Sequence, residues 1–595
     1  MIRSTTAFII AALVANVSPL AAKDKAPRTV TVGIAAINDF HGTLEPPQQS
    51  VVVPDGKGDF IQVPAGGAAW LASAVDSVRA KYRYHLTVSA GDMIGGSPFS
   101  SSSFLDEPAI GVMNRIGLDF NAAGNHEFDS GTEELLRKQK GGCGQFSAIK
   151  PCQIESFKGA KFTFLAANTI KDDGSTLLPA YAIRSFGKGR MRVKVGLIGL
   201  TLKNSGVGQK PENVKGIRFA DEADTANALV STLKAKGTDA VVVVIHQGGR
   251  TTDPAPNGCP GLYGEIKPIL DRLDTRVDLV ISGHTHWDYV CEYGAINKDK
   301  HFLLTSAGLW GKMVTDITLE IDPIANKVVS RKAQQVIVQS PGYRASTAFI
   351  ASRPEFPQFE PRKDVADYVA TYVKAADVVA KRVVGRIAAP VDKLDGPLAN
   401  TGGPLGNLIA DAQLAATTGA GAQIALMNPF GIRRSLNADA DGIVTFVDLF
   451  AVQPFRNRLV TVSLTGAEIK EALEQGFDAN APEQVLAPSA GFNFTYDRSN
   501  AIGSRITAIN LDGAPIDPAK SYRVTISRFM AEGGDSFDAF TKGRDPVEGM
   551  MEIDALEAWL KAVPPRAAPQ EVRAIDARPD LNALKRNAPP GQKYR

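Results

Sequence analysis

From residue 29 to about 320 the chain repeats one pattern: a short β-branched run, a polar turn containing glycine, then a stretch of helical periodicity. Runs of this kind are the signature of buried strands. The clearest are Val30 to Ile37, Leu86 to Ser89, Phe162 to Ala167, Val193 to Leu200, Val241 to Ile245, Val277 to Ser282 and Phe302 to Ser306. Helices are predicted over Ala68 to Arg79, Thr132 to Lys138 and Ala223 to Lys236. Such alternation predicts a layered α/β domain, and an open α/β sheet gathers ligands at its strand ends.

That is where the histidines lie. Five of the seven follow predicted strands in short polar motifs: Asn38-Asp39-Phe40-His41-Gly42, Gly124-Asn125-His126-Glu127-Phe128-Asp129, His246-Gln247-Gly248-Gly249 and Gly283-His284-Thr285-His286. Ala90-Gly91-Asp92 adds a carboxylate. His85 and His301 lack such neighbours and read as structural. Carboxylates, imidazoles and one amide can together hold two divalent ions, oxygen donors suiting Mn²⁺ or Mg²⁺ and imidazole suiting Zn²⁺ or Fe²⁺. Alternating residues of an extended segment project to one side, so Asp39 with His41, and His284 with His286, are each expected to address one site. Asp92, with two oxygens, could bridge a metal pair. Such a pair clamps the attacking and leaving oxygens of an in-line displacement and makes hydroxide available at neutral pH, which is the chemistry of phosphoester hydrolysis.

The remainder divides into further units. The stretch Ser346 to Val379 is polar, contains Pro354, Pro357 and Pro361, and then turns helical over Val365 to Lys374, as expected of a linker. A second unit spans about Lys381 to Pro564, with helical Gly406 to Ala416 and a helix opening at Thr465, where Glu468 completes a capping-box spacing. Strand-like pieces occur at Leu459 to Ser463, Phe492 to Tyr496 and Tyr522 to Ser527. The expected boundaries are 1–22 for a leader, 28–345 for the first domain, 346–380 for the linker, 381–564 for the second domain and 565–595 for a loose tail.

Met1-Ile2-Arg3, the apolar run Ala7 to Val17 and the small residues before Ala22 form a secretory signal, with cleavage expected near Ala21 or Ala22. An apolar run of that length falls short of the ~20 residues that cross a bilayer. The expected localisation is therefore periplasmic or secreted, with no membrane span after cleavage. Four cysteines suit that compartment, and Cys143 with Cys152 and Cys259 with Cys291 is the favoured pairing among three connectivities. Lys and Arg total 66 against 63 Asp and Glu, a near balance that offers no field for a nucleic-acid polymer.

The ordered series Asp-x-His, Gly-Asp, Gly-Asn-His-Glu, His, Gly-His-x-His resembles the calcineurin-like metallophosphoesterases. The second unit is similar to that of the exported 5'-nucleotidase family, which includes the bifunctional UDP-sugar hydrolases. The resemblance covers about residues 29 to 563. It implies a four-layer αββα sandwich followed by a smaller α+β substrate-binding domain. It also implies two divalent ions (manganese, zinc, magnesium, iron or cobalt), one held by Asp39, His41, Asp92 and His286 and the other by Asp92, Asn125, His246 and His284. The dyad falls on His126 and Asp129. Phe455 and Phe529 would sandwich the base, Asn428 would touch it, Asp535 would bind ribose and Arg433 phosphate. The implied substrate is a nucleoside 5'-phosphate, with nucleotide diphosphate derivatives as a possible extension.

Two departures bear on selectivity. Many members carry Asn-Gly-Gly-Gly-Ile-Arg where this chain has Asn428-Pro429-Phe430-Gly431-Ile432-Arg433. Many also place an arginine shortly before Leu-Gly-Asn-Leu, whereas Leu394 to Pro404 contains none; Arg434 is a candidate substitute. The rival enzymatic readings are a 2',3'-cyclic nucleotide phosphodiesterase with 3'-nucleotidase activity and a hydrolase of sulfur oxyanion conjugates. The stacking pair argues against the latter, which has no base to hold. A non-catalytic nucleotide-binding or surface-interaction protein is the rival of another class, and the intact ligand set argues against it.

Overall fold

The computed structural model describes residues 29–578 except 58, 148, 207–210, 345–348, 395–399 and 478–482. The expected leader lies outside the described residues.

Two six-stranded sheets form the first domain. In spatial order the first sheet runs Lys327–Ile337, Met313–Asp322, Val30–Ile37, His85–Ser89, Phe120–Ala122, Thr163–Leu165. The second runs Asp288–Glu292, Leu303–Ala307, Leu279–Ser282, Ala240–His246, Val193–Thr201, Tyr181–Phe186. Their inner faces share one core: Val32, Ile34 and Val88 from the first sheet pack with Val195, Val242 and Ile281 from the second. Ala68–Arg79 and Glu107–Ile116 cover the outside of the first sheet, while Glu222–Ala235 and Ile266–Arg272 cover the second. This is the expected four-layer sandwich. The strands are apolar on both faces because each sheet is covered on both sides.

The second domain carries a five-stranded sheet, Ala487–Pro488, Ile424–Met427, Ser521–Ser527, Arg458–Thr465, Arg544–Met551, and a four-stranded one. Thr465 does cap Gly466–Gln475: its hydroxyl accepts from Glu468 N–H at 3.2 Å, and Glu468 Oε2 accepts from Thr465 N–H at 2.7 Å. Both expected disulfides are present, Cys143 to Cys152 and Cys259 to Cys291.

Two expectations need correcting. The linker helix runs Lys363–Ala380, and it is a packed element rather than a connector. Val365, Val369, Tyr372, Ala376 and Ala380 form a buried stripe at helical spacing, within an apolar cluster that also holds Val75 and Ile110 of the first domain and Leu405, Leu449 and Leu556 of the second. The stretch after Pro564 is not loose as far as the structure describes it. Ala574–Asp576 adds a parallel strand beside Phe492–Tyr496, and the nearly buried Arg573 pairs with Asp411 at 2.7 Å. Its run of Pro, Ala and Arg hides this, because a three-residue edge strand has no detectable period.

Candidate metal centre and nucleotide cavity

All seven expected ligands converge where the two sheets' loops meet. Asp39, His41, Asp92 and Asn125 follow strands of the first sheet; His246 closes a strand of the second, and His284 and His286 lie in the loop beyond its neighbour. Asp39 Oδ2 accepts from His284 N–H at 2.9 Å, which ties one sheet's loop to the other's.

Two clusters share one atom. In the first, His41 Nε2 lies 3.1 Å from His286 Nε2 and 3.8 Å from Asp39 Oδ1, and His286 Nε2 is 3.5 Å from the same carboxylate oxygen. In the second, Asn125 Oδ1 lies 3.1 Å from both His246 Nε2 and His284 Nδ1. Asp92 Oδ2 joins them, 3.7 Å from His41 Nε2 and 3.0 Å from His246 Nε2. The other oxygen, Oδ1, accepts from the His126 N–H at 3.0 Å.

The sharing differs from the strand-alternation expectation. Asp39 and His41 do serve one cluster, but His284 and His286 go to different ones. Neither pair sits on extended backbone: Asp39, His41, Asp92, His284 and His286 all have positive φ, between 46° and 70°. Left-handed backbone is unfavourable for residues with a Cβ and collects at functional sites. The neighbouring glycines are required by contact: a Cβ on Gly124 would stand 2.2 Å from Asp92 Oδ1, and one on Gly91 2.5 Å from His246 Nδ1.

The donor set fits divalent cations. His41 Nδ1 donates to Gly95 O and His246 Nδ1 to Ala90 O, each at 2.7 Å, so each ring is oriented with Nε2 toward the carboxylates. Burial pushes His41 and His284 down to about 3, and His286 well below its usual range, so these rings carry a free lone pair at neutral pH. Burial pushes Asp39 up to about 7. His246 differs: burial opposes its protonation, but the Asp92 and Asp39 carboxylates outweigh it and raise the ring to about 10, so this buried carboxylate pair already draws positive charge to itself.

His126 borders the same centre; ligand atoms of His41, Asp92 and His126 lie within 4.8 Å of one another. Its Nδ1 is 2.7 Å from Asp129 Oδ2. Burial opposes protonation of His126, but the Asp129 and Asp92 carboxylates outweigh it and raise the ring to about 9.

Glu127 is the residue that the motif contained but that sequence reasoning gave no role. Its buried carboxylate accepts four bonds: Oε2 from the N–H groups of Asp92 at 2.9 Å and Gly124 at 2.6 Å, and Oε1 from Met93 N–H at 2.9 Å and Asn121 Nδ2 at 3.2 Å. It fastens the loop bearing Asp92 to the loop bearing Asn125 and His126. Asn38, also in a quoted motif, donates to Asp39 Oδ2 at 2.7 Å.

A cavity of about 950 Å³ opens from this centre between the domains. His126 and Asp129 line it from the first domain, and all five expected substrate-binding residues, Asn428, Arg433, Phe455, Phe529 and Asp535, line it from the second. The Phe455 ring lies parallel to His126, with centroids 6.4 Å apart and planes within 11°. Phe529 rests flat on Gly534, where an added Cβ would come within 2.5 Å of the ring. Asn428 Nδ2 donates to Asp535 Oδ2 at 2.6 Å, and burial pushes Asp535 up to about 6. Arg433 is placed over Phe455, 5.7 Å from the ring centroid, close enough to weigh on the titration of His41, His126 and His286. The altered loop puts Phe430 on the cavity wall. Arg434, the candidate substitute, does not line the cavity; it stacks on Trp310 at 4.9 Å.

Comparison with known proteins agrees with both halves. Residues 33–288 match the calcineurin-like phosphoesterase model and residues 383–542 the 5'-nucleotidase C-terminal domain model. The chain is 30% identical over 538 residues to Endonuclease YhcR of Bacillus subtilis, covering 90% of this chain but only 40% of that longer protein. It is 25% identical over 540 residues to Protein UshA of Escherichia coli, covering 87% of this chain and 90% of that one. The crystal structure of a 5'-nucleotidase precursor from Thermus thermophilus superposes with a TM-score of 0.70 at 25% identity, covering 92% of this chain and 99% of that one. With its sandwich, its ligand cluster and its second domain all accounted for, the chain belongs to the 5'-nucleotidase family of calcineurin-like metallophosphoesterases, a family of metal-dependent phosphoester hydrolases.

Proposed function

We propose that the chain is an exported two-metal hydrolase that converts nucleoside 5'-monophosphates to nucleoside and phosphate. The observation that carries this reading is the single cavity into which one domain presents the ligand cluster with His126 and the other presents two phenylalanines with Asn428, Asp535 and Arg433. Asp39, His41, Asp92 and His286 would hold one ion, and Asp92, Asn125, His246 and His284 the other. When bound, such a pair supplies hydroxide at neutral pH and offsets charge at phosphorus.

The chain's own residues do the rest. Arg433 orients the phosphate through its planar fork. Phe455 and Phe529 hold the base by stacking, which accepts any base because each has a π-face. Asp535, steadied by Asn428, takes the ribose hydroxyls. His126 carries a proton that Asp129 holds on the ring, and delivers it to the departing 5'-oxygen. Two disulfides support an oxidising compartment, periplasmic or extracellular.

The test is phosphate release from 5'-, 3'- and 2',3'-cyclic nucleotides and UDP-glucose by protein reconstituted with Mn²⁺ or Zn²⁺. Fast, chelator-sensitive release from AMP is expected. No release from AMP, with less than one equivalent of metal retained, would leave only a binding role.

A further inference from the structure

Arg250 lies four residues beyond His246, on the wall that the first domain gives the cavity. Its main chain is fixed by Tyr263: Arg250 N–H donates to Tyr263 O and Tyr263 N–H to Arg250 O, both at 2.9 Å. The loop between them is closed by Thr252 N–H on Pro260 O at 3.0 Å and anchored by the Cys259 to Cys291 disulfide. It is also fastened to the histidine loop, since Thr285 Oγ1 donates to Gly249 O and Trp287 Nε1 to Thr251 Oγ1, each at 2.7 Å. A rigid bracket therefore holds Arg250 beside the segment that carries His284 and His286.

The side chain itself does nothing for the fold. Among the described residues the Arg250 guanidinium has no hydrogen bond or ion pair, and it is exposed to the cavity. It lines the same cavity as His126, His284 and Arg433. The other cations near the cavity are occupied differently: Arg434 stacks on Trp310, and Arg456 faces Phe450 at 5.3 Å. Meanwhile the arginine that many relatives place before Leu-Gly-Asn-Leu is missing, and Thr401, in the described part of that stretch, is buried. Arg433 from the second domain and Arg250 from the first both line the cavity.

We infer that Arg250 is a phosphate-binding residue, supplied by the metal-bearing domain and held in place by Tyr263. The inference rests on the hydrolase reading for its substrate, and the thermal-stabilisation arm of its test does not. In metal-loaded protein, Arg250→Ala is expected to raise the inhibition constant of inorganic phosphate, and the KM for AMP, by about tenfold or more, a charge-assisted bond being strong. Inhibition by adenosine, which lacks the phosphate, is expected to stay within twofold, as is metal content. Arg250→Lys is expected to recover part of the loss. An unchanged phosphate constant, or an equal rise for adenosine, would overturn the assignment. Were the wild type inert toward AMP, the hydrolase reading would fail, and the inference would then stand or fall on phosphate's thermal stabilisation of wild type against Arg250→Ala.

Discussion

Replacing Glu127 with glutamine isolates the role of a residue that is placed neither on a metal nor on substrate. The wild-type carboxylate offers two oxygens to four donors, with Asp92 N–H and Gly124 N–H on Oε2 and Met93 N–H and Asn121 Nδ2 on Oε1. Glutamine keeps the shape but replaces one oxygen with an NH₂ group. Whichever way the amide turns, two buried donors then face another donor. Asn121 cannot simply flip to help, because its Oδ1 already accepts from Gly91 N–H at 3.2 Å. A buried donor left without a partner costs ~1–3 kcal/mol, so the pair costs about 2–6 kcal/mol. Losing the negative charge beside Asp92 offsets part of this, which places the expected value nearer the low end. The assay is urea unfolding of metal-loaded wild type and Glu127→Gln, read at two wavelengths, with bound metal counted by mass spectrometry. A lower midpoint and a substoichiometric metal content are expected together, because the two loops that Glu127 joins carry Asp92 and Asn125. An unfolding free energy within about 0.5 kcal/mol of wild type, with full metal content, would refute the claim that this carboxylate sets the loop geometry.

His126→Asn is expected to lower kcat by about 100- to 10,000-fold while metal content stays at the wild-type level, since the ring is assigned to proton transfer; parallel loss of metal would reassign it as a ligand. Phe455→Ala removes a stacking face worth ~1–3 kcal/mol, so KM for AMP rises roughly 5- to 150-fold in steady-state assays, with little change for p-nitrophenyl phosphate if the ring reads only the base. Asp535, raised by burial from 3.8 to about 6, binds a proton in the folded state through a window where the unfolded chain has released it. Wild type therefore loses stability relative to Asp535→Asn as pH rises from about 4 to about 7, by up to about 3 kcal/mol; a difference that does not change with pH in denaturant titrations would contradict the assignment.

Much of the site was legible because its chemistry is carried by residue types at strand ends. Asp39, His41, Asp92, Asn125, His246, His284 and His286 announce themselves as short polar motifs after apolar runs, and all seven meet. The way they meet was not legible. Period-two reasoning assumes extended backbone, and left-handed turns at both Asp39–His41 and His284–His286 void it. Glu127 was visible but mute, since a buried carboxylate bonded only to main-chain N–H groups and an amide leaves no spacing signal. The expected helix, Val365 to Lys374, falls short of Lys363–Ala380 because Pro361 and polar neighbours have the character of a connector, whereas the apolar stripe has meaning only with partners from two domains in place.

That shared helix has a consequence for how the chain comes apart. Val365, Val369, Tyr372, Ala376 and Ala380 share one apolar cluster with side chains of both domains, so the stripe is covered only when both are in place. Cutting the polypeptide on either side of the helix would leave one fragment with an oily trench and the other with an unsupported amphipathic rod. The helix thus joins the interiors of the two halves, while each half keeps a core of its own apart from it.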